Sequence, residues 1–428
     1  MMRDGYLAVL GGNKMACHGI ERLEALGYRL LVLDGNPQAA ARTPGRPFLA
    51  VDFSDTNAAL RALEPFELGG IMPLNDFAVR SSSRIARERG LRGWTEETAY
   101  RLTNKAAMRA VWREANLPQP SYCSVSIEDL LAGQHPVWDS FPCIVKPAFA
   151  GGASRGVHLV HDWDEARAVV EATRDVYLDA DVVIEEYVRG TEHTLEVVVR
   201  DGRPTLLSIS DKQNYPGHVS VVQNLYFPGP VGWAAHDRLC DLVFAACGAL
   251  GVTDGACHFE VLLTEHGPLL LEVGGRPGGG LNFDPICRLS TGFDYPSLLA
   301  CILTGESPRF VRQEPCHLAW HYFDGGDGTV QDIIGMDEVD GADGVVDVEC
   351  YERVGEPRRR LTDDLERPGY VLVRADSHGA ARTLAARMCD RIEVLTHAPT
   401  SKSLHTEHLA TASHEDTGWY TRDMPAGV

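Results

Sequence analysis

A chain of 428 residues is too long for one comfortable hydrophobic core and predicts several domains. Its 44% hydrophobic and 23% charged residues are the balance of a globular protein, against disordered, collagen-like or membrane-embedded sequence. Forty Lys and Arg against 60 Asp and Glu give a net charge of −20, which argues against nucleic acid and anionic membranes as partners. The 11 cysteines occur singly and without CxxC spacing, so they read as reduced thiols of a cytoplasmic protein. Neither a signal h-region nor a bilayer-length apolar run is found.

Residues 1–95 alternate short apolar runs (7–10, 30–33, 48–53 and 71–74) with helical patterns, which predicts a parallel, Rossmann-like α/β domain. Ile20, Leu23 and Leu26 set a helix over 16–26 that stops at Gly27. Gly11 and Gly12 after the first strand, with Asp34 after the second, raise a nicotinamide-binding reading, but Lys14 stands where that fingerprint needs a second close-packing glycine. A helix over 103–115 carries Met108, Val111, Trp112 and Ala115 as its buried stripe, and Pro118 and Pro120 force an extended exit. Strand and loop patterns dominate 141–199, a helix covers 237–250, and an apolar hairpin follows over 257–273. The expected divisions are linker helices and a small α+β subdomain (96–190), a larger one (191–310), a C-terminal α+β region with a strand at 370–374 and a helix at 377–391 (311–397), and a Ser/Thr/His-rich tail (398–428).

The chemistry concentrates in the hairpin. Period-two alternation puts Phe259, Val261, Leu263, Leu269, Leu271 and Val273 on one face and His258, Glu260 and Glu272 on the other. With a three-residue loop, Glu265 to Gly267, Thr264 opposes Pro268 and Glu260 opposes Glu272, their Cβ atoms roughly 5 Å apart. Like charges so placed either face water or share a hard cation such as Mg²⁺. A two-residue turn would shift the register and separate them.

Two glycine-rich loops flank this pair in the sequence. One, 274–280, surrounds Arg276, whose guanidinium suits a carboxylate or phosphoryl group. The other, Gly151 to Gly156, lies between two apolar strands, so it is a hairpin flap rather than a P-loop; its amides and the Ser154 hydroxyl could cover a polyphosphate, with Lys146 at its base. Lys146 interrupts an apolar strand, and Lys105 sits on a buried helical stripe; together they look like phosphate neutralisation rather than solvated charge. The strand end at Glu185, Glu186, Tyr187 and Val188, with Glu192 beyond, offers backbone groups for a purine edge and a carboxylate for ribose.

In this order the segments resemble the ATP-grasp superfamily, in particular carboxylate–amine ligases such as the L-amino acid (dipeptide) ligases and carnosine-synthase-like enzymes, from residue 7 to residue 392. The resemblance implies an α/β domain followed by two α+β subdomains that grip ATP. It assigns ATP to Lys105, Lys146, the flap residues Gly151, Gly152 and Ser154, residues 185–188 and Glu192, with adenine read by the backbone of Glu186 and Val188. It assigns Mg²⁺, or Mn²⁺ in its place, to Glu260 and Glu272, and the transferred phosphoryl group to Arg276, with Lys146 and Ser154 assisting. Lys212, His218, His258, Arg276 and Gly279 fall where such enzymes line the substrate cavity. Many members carry an asparagine two residues after the second metal glutamate; here that position is Gly274. The implied reaction joins a carboxylate to an amine through an acylphosphate, on small-molecule substrates, in an enzyme expected to dimerise. Rival readings are a purine-biosynthesis enzyme of the same fold acting on a ribonucleotide with bicarbonate or formate, a dinucleotide-dependent oxidoreductase, and a catalytically silent nucleotide-binding regulator.

Overall fold

Four apolar runs build the opening sheet. In the computed structural model, which describes residues 5–307, 314–358 and 360–397, Tyr6–Leu10, Leu30–Asp34, Phe48–Ala50 and Leu68–Pro73 pair in parallel, with Tyr6–Leu10 between Leu30–Asp34 and Leu68–Pro73. Leu7 to Leu10 and Leu30 to Leu33 are buried on both faces, the expected signature of parallel strands covered by helices. The third strand stops at Ala50, short of the predicted residue 53. Asp34 accepts the Gly12 amide at 2.7 Å and the Asn36 amide at 2.8 Å, so the carboxylate that prompted a dinucleotide reading is a brace for its own loop.

Two compact units make up the chain: Met1–Lys212 with Pro228–Pro315, and Gln213–Phe227 with the described residues from Cys316 onward. Beyond the parallel sheet, the first unit holds an antiparallel sheet in the order Tyr122–Ser126, Asp181–Glu186, Cys143–Pro147, His158–Val160. It also holds the long strands Thr191–Arg200, Gly255–Thr264 and Gly267–Gly274, paired antiparallel, with Arg203–Ile209 folded back on the first of them. The helix Trp163–Ala172 corrects the strand-and-loop reading of 141–199: Asp162 caps it by accepting the Glu165 amide, and Ala166 and Val170 are buried at helical spacing. In the second unit Val222–Phe227, His317–Tyr322, Gly369–Ala375 and Val345–Cys350 form successive antiparallel pairs, and the helix His378–Cys389 shares their core. The tail predicted over 398–428 lies outside the described residues, among which no helix is long and apolar enough to cross a membrane.

One close approach links the parallel domain to the strand Thr191–Arg200. Gly19, in the helix Lys14–Ala25, lies against the Phe283 ring, where a Cβ would collide. Phe283 stacks edge-on against Tyr295 at 5.4 Å, and the Tyr295 hydroxyl donates to Glu196 at 3.1 Å. Gly19→Ala is therefore expected to destabilise the protein by about 1–3 kcal/mol through overpacking, despite alanine's better helix propensity, as a lowered midpoint in urea unfolding.

Candidate active site

Glu260 pairs directly with Glu272, and Phe259, Val261 and Val273 lie in the core as predicted, but in the second strand Leu270 takes the core place expected of Leu269 and Leu271, which with Leu263 are only half-buried. The route differs from the expected one. Thr264 pairs with Gly267, so the turn is the two residues Glu265 and His266, and Leu263, Leu262 and Val261 follow the shifted register. A bulge at Leu271 then restores alignment, giving Glu260 opposite Glu272 and Phe259 opposite Val273. The turn alone would have separated the glutamates; one extra residue brings them back.

Cations surround the pair. Lys105, the first residue of the helix Lys105–Glu114, contacts Glu272 at 2.9 Å, and Lys212 contacts Glu260 at 3.3 Å and also Glu192. Burial disfavours the Lys105 ammonium, but the Glu272 carboxylate outweighs it and raises the lysine above its ordinary value. Burial also raises the Glu192 carboxyl, with Glu260 adding to it. At Glu260, Lys212 and His258 overcome the same burial and hold the group low.

Lys146, 6% exposed, sits in the strand Cys143–Pro147 and contacts Glu185 at 2.9 Å; burial lowers its pKa. Glu185 also accepts from Arg109 at 2.7 Å, and against the cost of burial these two cations hold it down to about 2. Arg109 and Lys105 occupy the buried face of one helix with Met108 and Trp112; Ala115, predicted on that stripe, is exposed. The flap begins where predicted, between Cys143–Pro147 and His158–Val160. Gly151, Gly152, Ala153 and Ser154 all have positive φ, and the Lys105 amide donates to the Ala148 carbonyl at its base at 2.8 Å.

Arg276 is held by a residue the sequence reading missed. Asp76, first in the helix Asp76–Arg89, accepts from Arg276 Nε at 3.1 Å and Nη2 at 2.8 Å. A Cβ at Gly274 would lie 3.1 Å from Asp76 Oδ1 and 3.3 Å from Arg276 Cζ, so this ion pair fills the space beside the glycine. A Cβ at Gly152 would lie 2.7 Å from Asp76 Oδ2, which brings the flap against the same pair.

Residues 139–284 match the ATP-grasp domain, and residues 321–397 match the L-amino acid ligase C-terminal domain 2. Residues 139–284 are thus an ATP-grasp domain. It is 29% identical over 349 residues to the uncharacterized protein y4rH of Sinorhizobium fredii, covering 77% of this chain and 68% of that one. Over 288 residues it is 27% identical to dapdiamide A synthase of Enterobacter agglomerans, covering 62% of this chain and 64% of the synthase, under two thirds of its length. The solved L-amino acid ligase of Bacillus licheniformis shares the fold, with a TM-score of 0.78 and 23% identity over 93% of this chain and 100% of that one.

Against the ATP-grasp pattern, the remaining predicted residues fall as follows. Glu186, Tyr187 and Val188 lie at the open end of the strand Asp181–Glu186, where the Glu186 amide already donates to the Ser121 carbonyl at 2.9 Å. Glu185 faces the lysine and Arg109 rather than solvent. His258 contacts the buried Glu196 at 2.6 Å, and the Gly278 amide donates to that carboxylate at 2.9 Å; Gly279 next to it is exposed. His218 belongs to the second unit, where it lines a cavity with Tyr215, Asp324, Arg358 and Arg360. For a hard divalent cation, Glu260 and Glu272 fit: both are oxygen donors, about a third of each side chain is exposed (31% and 33%), and they share one face of the ladder.

The buried Glu185 carries a testable consequence. Its folded pKa is depressed, so its ion pairs stabilise the protein fully above about pH 4.5 and lose that contribution as pH falls toward about 2. Glu185→Gln strands two cations and is expected to cost about 3–5 kcal/mol at pH 7. In urea titrations the gap between wild type and variant should narrow below pH 4.5.

Proposed function

We propose that this protein is an ATP-dependent ligase that joins the carboxylate of one small substrate, an amino acid or similar acid, to the amine of another, also expected to be an amino acid. The observation that carries this reading is the direct opposition of Glu260 and Glu272, with Lys105, Lys146 and Lys212 within reach of their cluster and Arg276 fixed beside the flap.

Mg²⁺, or Mn²⁺ in its place, would be held by Glu260 and Glu272 and would supply charge neutralisation along the phosphate tail of ATP. Lys105 and Lys146 would draw charge from the phosphates, and the flap over residues 151–156, with the Ser154 hydroxyl, would exclude water from them. The substrate carboxylate attacks the γ-phosphorus; the bond to the ADP oxygen breaks, and an acylphosphate forms. The amine then adds to the acyl carbon, and Arg276, oriented by Asp76, neutralises the oxyanion before inorganic phosphate leaves and the amine's proton is lost. Adenine would lie against residues 186–188 and ribose near Glu192, whose carboxyl is raised by burial and by the neighbouring Glu260. Lys212, His258 and Gly279 are assigned to the substrate side. The opening sheet is read as a Rossmann-like platform without a dinucleotide site, because Asp34 is spent on its own loop.

Amino acid ligation is favoured over ribonucleotide chemistry by the C-terminal match to L-amino acid ligases and by a single buttressed arginine suited to one small carboxylate. Paired amino acids should stimulate ADP and phosphate release and give a product lighter than the sum of its substrates by one water. Aminoimidazole or glycinamide ribonucleotides with bicarbonate or formate should not. Glu272→Gln or Glu260→Gln is expected to lower ADP release about a hundredfold or more, and Arg276→Lys about 10²-fold. Wild-type turnover in either glutamine variant would remove the metal assignment.

A further inference from the structure

Arg109 has no role in the chemistry above, yet it is among the most enclosed side chains in the protein, 1% exposed in the helix that begins with Lys105. Its three guanidinium nitrogens reach four acceptors, among them Gln119 Oε1 at 3.4 Å from Nη1. Nε donates to Glu185 Oε1 at 2.7 Å, Nη1 to the Leu270 carbonyl at 2.7 Å, and Nη2 to the Leu271 carbonyl at 2.9 Å. Gln119 completes the setting, donating to the Arg109 carbonyl at 3.0 Å, and the Pro118 carbonyl accepts the Leu270 amide at 2.9 Å.

Leu271 is the extra residue of the bulge that returns Glu272 to the level of Glu260. A bulged residue loses its ladder partner, and a buried carbonyl left that way costs free energy unless another donor takes it. Here one planar fork takes the bulged carbonyl and its neighbour together, an arrangement an ammonium cannot reproduce while also reaching Glu185. The same fork leaves Glu185 a counterion when Lys146 turns to the nucleotide. We infer that Arg109 is a positioning residue for the metal–nucleotide site: it fixes the Leu271 bulge and so sets Glu272 opposite Glu260. This rests on the assignment of those two glutamates to the cation.

The test measures Mn²⁺ binding by electron paramagnetic resonance in the presence of a non-hydrolysable ATP analogue, and analogue binding without metal by calorimetry. Wild type, Arg109→Gln and Arg109→Lys are compared well below their melting temperatures. The expected result is Mn²⁺ affinity weakened about 10–100-fold in Arg109→Gln, a smaller loss in Arg109→Lys, and metal-free analogue affinity within about twofold of wild type in both. Unchanged Mn²⁺ affinity in either folded variant overturns the inference, as does an equal loss of metal and metal-free analogue binding, which would mark a purely structural role. If Arg109→Gln does not fold, Arg109→Lys alone decides between these outcomes. Wild type binding no Mn²⁺ beside the analogue would instead overturn the metal assignment itself.

Discussion

Two carboxylates on neighbouring strands of one ladder repel each other, and the rest of the first unit is arranged around that repulsion. At about 5 Å and an effective dielectric of about 20 the penalty is on the order of 3 kcal/mol, too much for a hairpin to carry uncompensated. Lys105 answers Glu272 and Lys212 answers Glu260, each from a different element. Burial and Glu260 together raise the Glu192 carboxyl beside them, which eases the crowding of negative charge.

Backbone geometry supplies what charge cannot. A two-residue turn at 265–266 sets one register, a bulge at Leu271 sets another, and only their combination places both glutamates on the same face at the same level. Glycines then clear the space around the site. Gly278 carries no Cβ because Glu196 and His258 occupy its position, and Gly274 leaves room for the Asp76–Arg276 pair. The parallel domain thus contributes Asp76 to a site whose other parts come from residues far along the chain, which is why the Lys105 helix, the flap and the Arg276 loop meet at the start of the helix Asp76–Arg89.

Features carried by local pattern were legible in the sequence. Alternation revealed the faces of the first hairpin strand over 257–261, though not of the second, where Leu270 is the core residue; glycine spacing revealed the flap and the Arg276 loop, and a lysine on a buried stripe or strand stood out against its neighbours. Features carried by pairing were not. The bulge leaves no composition signal, because Leu269, Leu270 and Leu271 are the same residue in any register. Asp76 reads as an ordinary acidic first-turn residue after the capping Asn75, and only the fold brings Arg276 to it. Arg109, four residues after Lys105, could have been found by asking why a second cation lies on the same buried stripe. The helix Trp163–Ala172 announced itself only by Asp162 and Glu165 at capping-box spacing, inside a segment otherwise rich in β-branched residues.

Every cation around the site is held by a carboxylate: Lys105 by Glu272, Lys146 by Glu185, Lys212 by Glu192 and Glu260, and Arg276 by Asp76. Stripping such groups bare would cost several kcal/mol for each buried ion, so nucleotide entry is cheapest as an exchange. On the proposed reading, a divalent cation held by Glu260 and Glu272 would replace Lys212 and Lys105 as their counter-charge, and phosphate oxygens would replace the carboxylates beside Lys105 and Lys146. The charge arrangement would then couple the binding of the two. It also assigns different tasks to the two arginines. Arg276, held by Asp76 and the Pro277 carbonyl, meets a single carboxylate beside the flap, whereas Arg109 is tied to two backbone carbonyls as well as to Glu185 and is the more firmly fixed of the two.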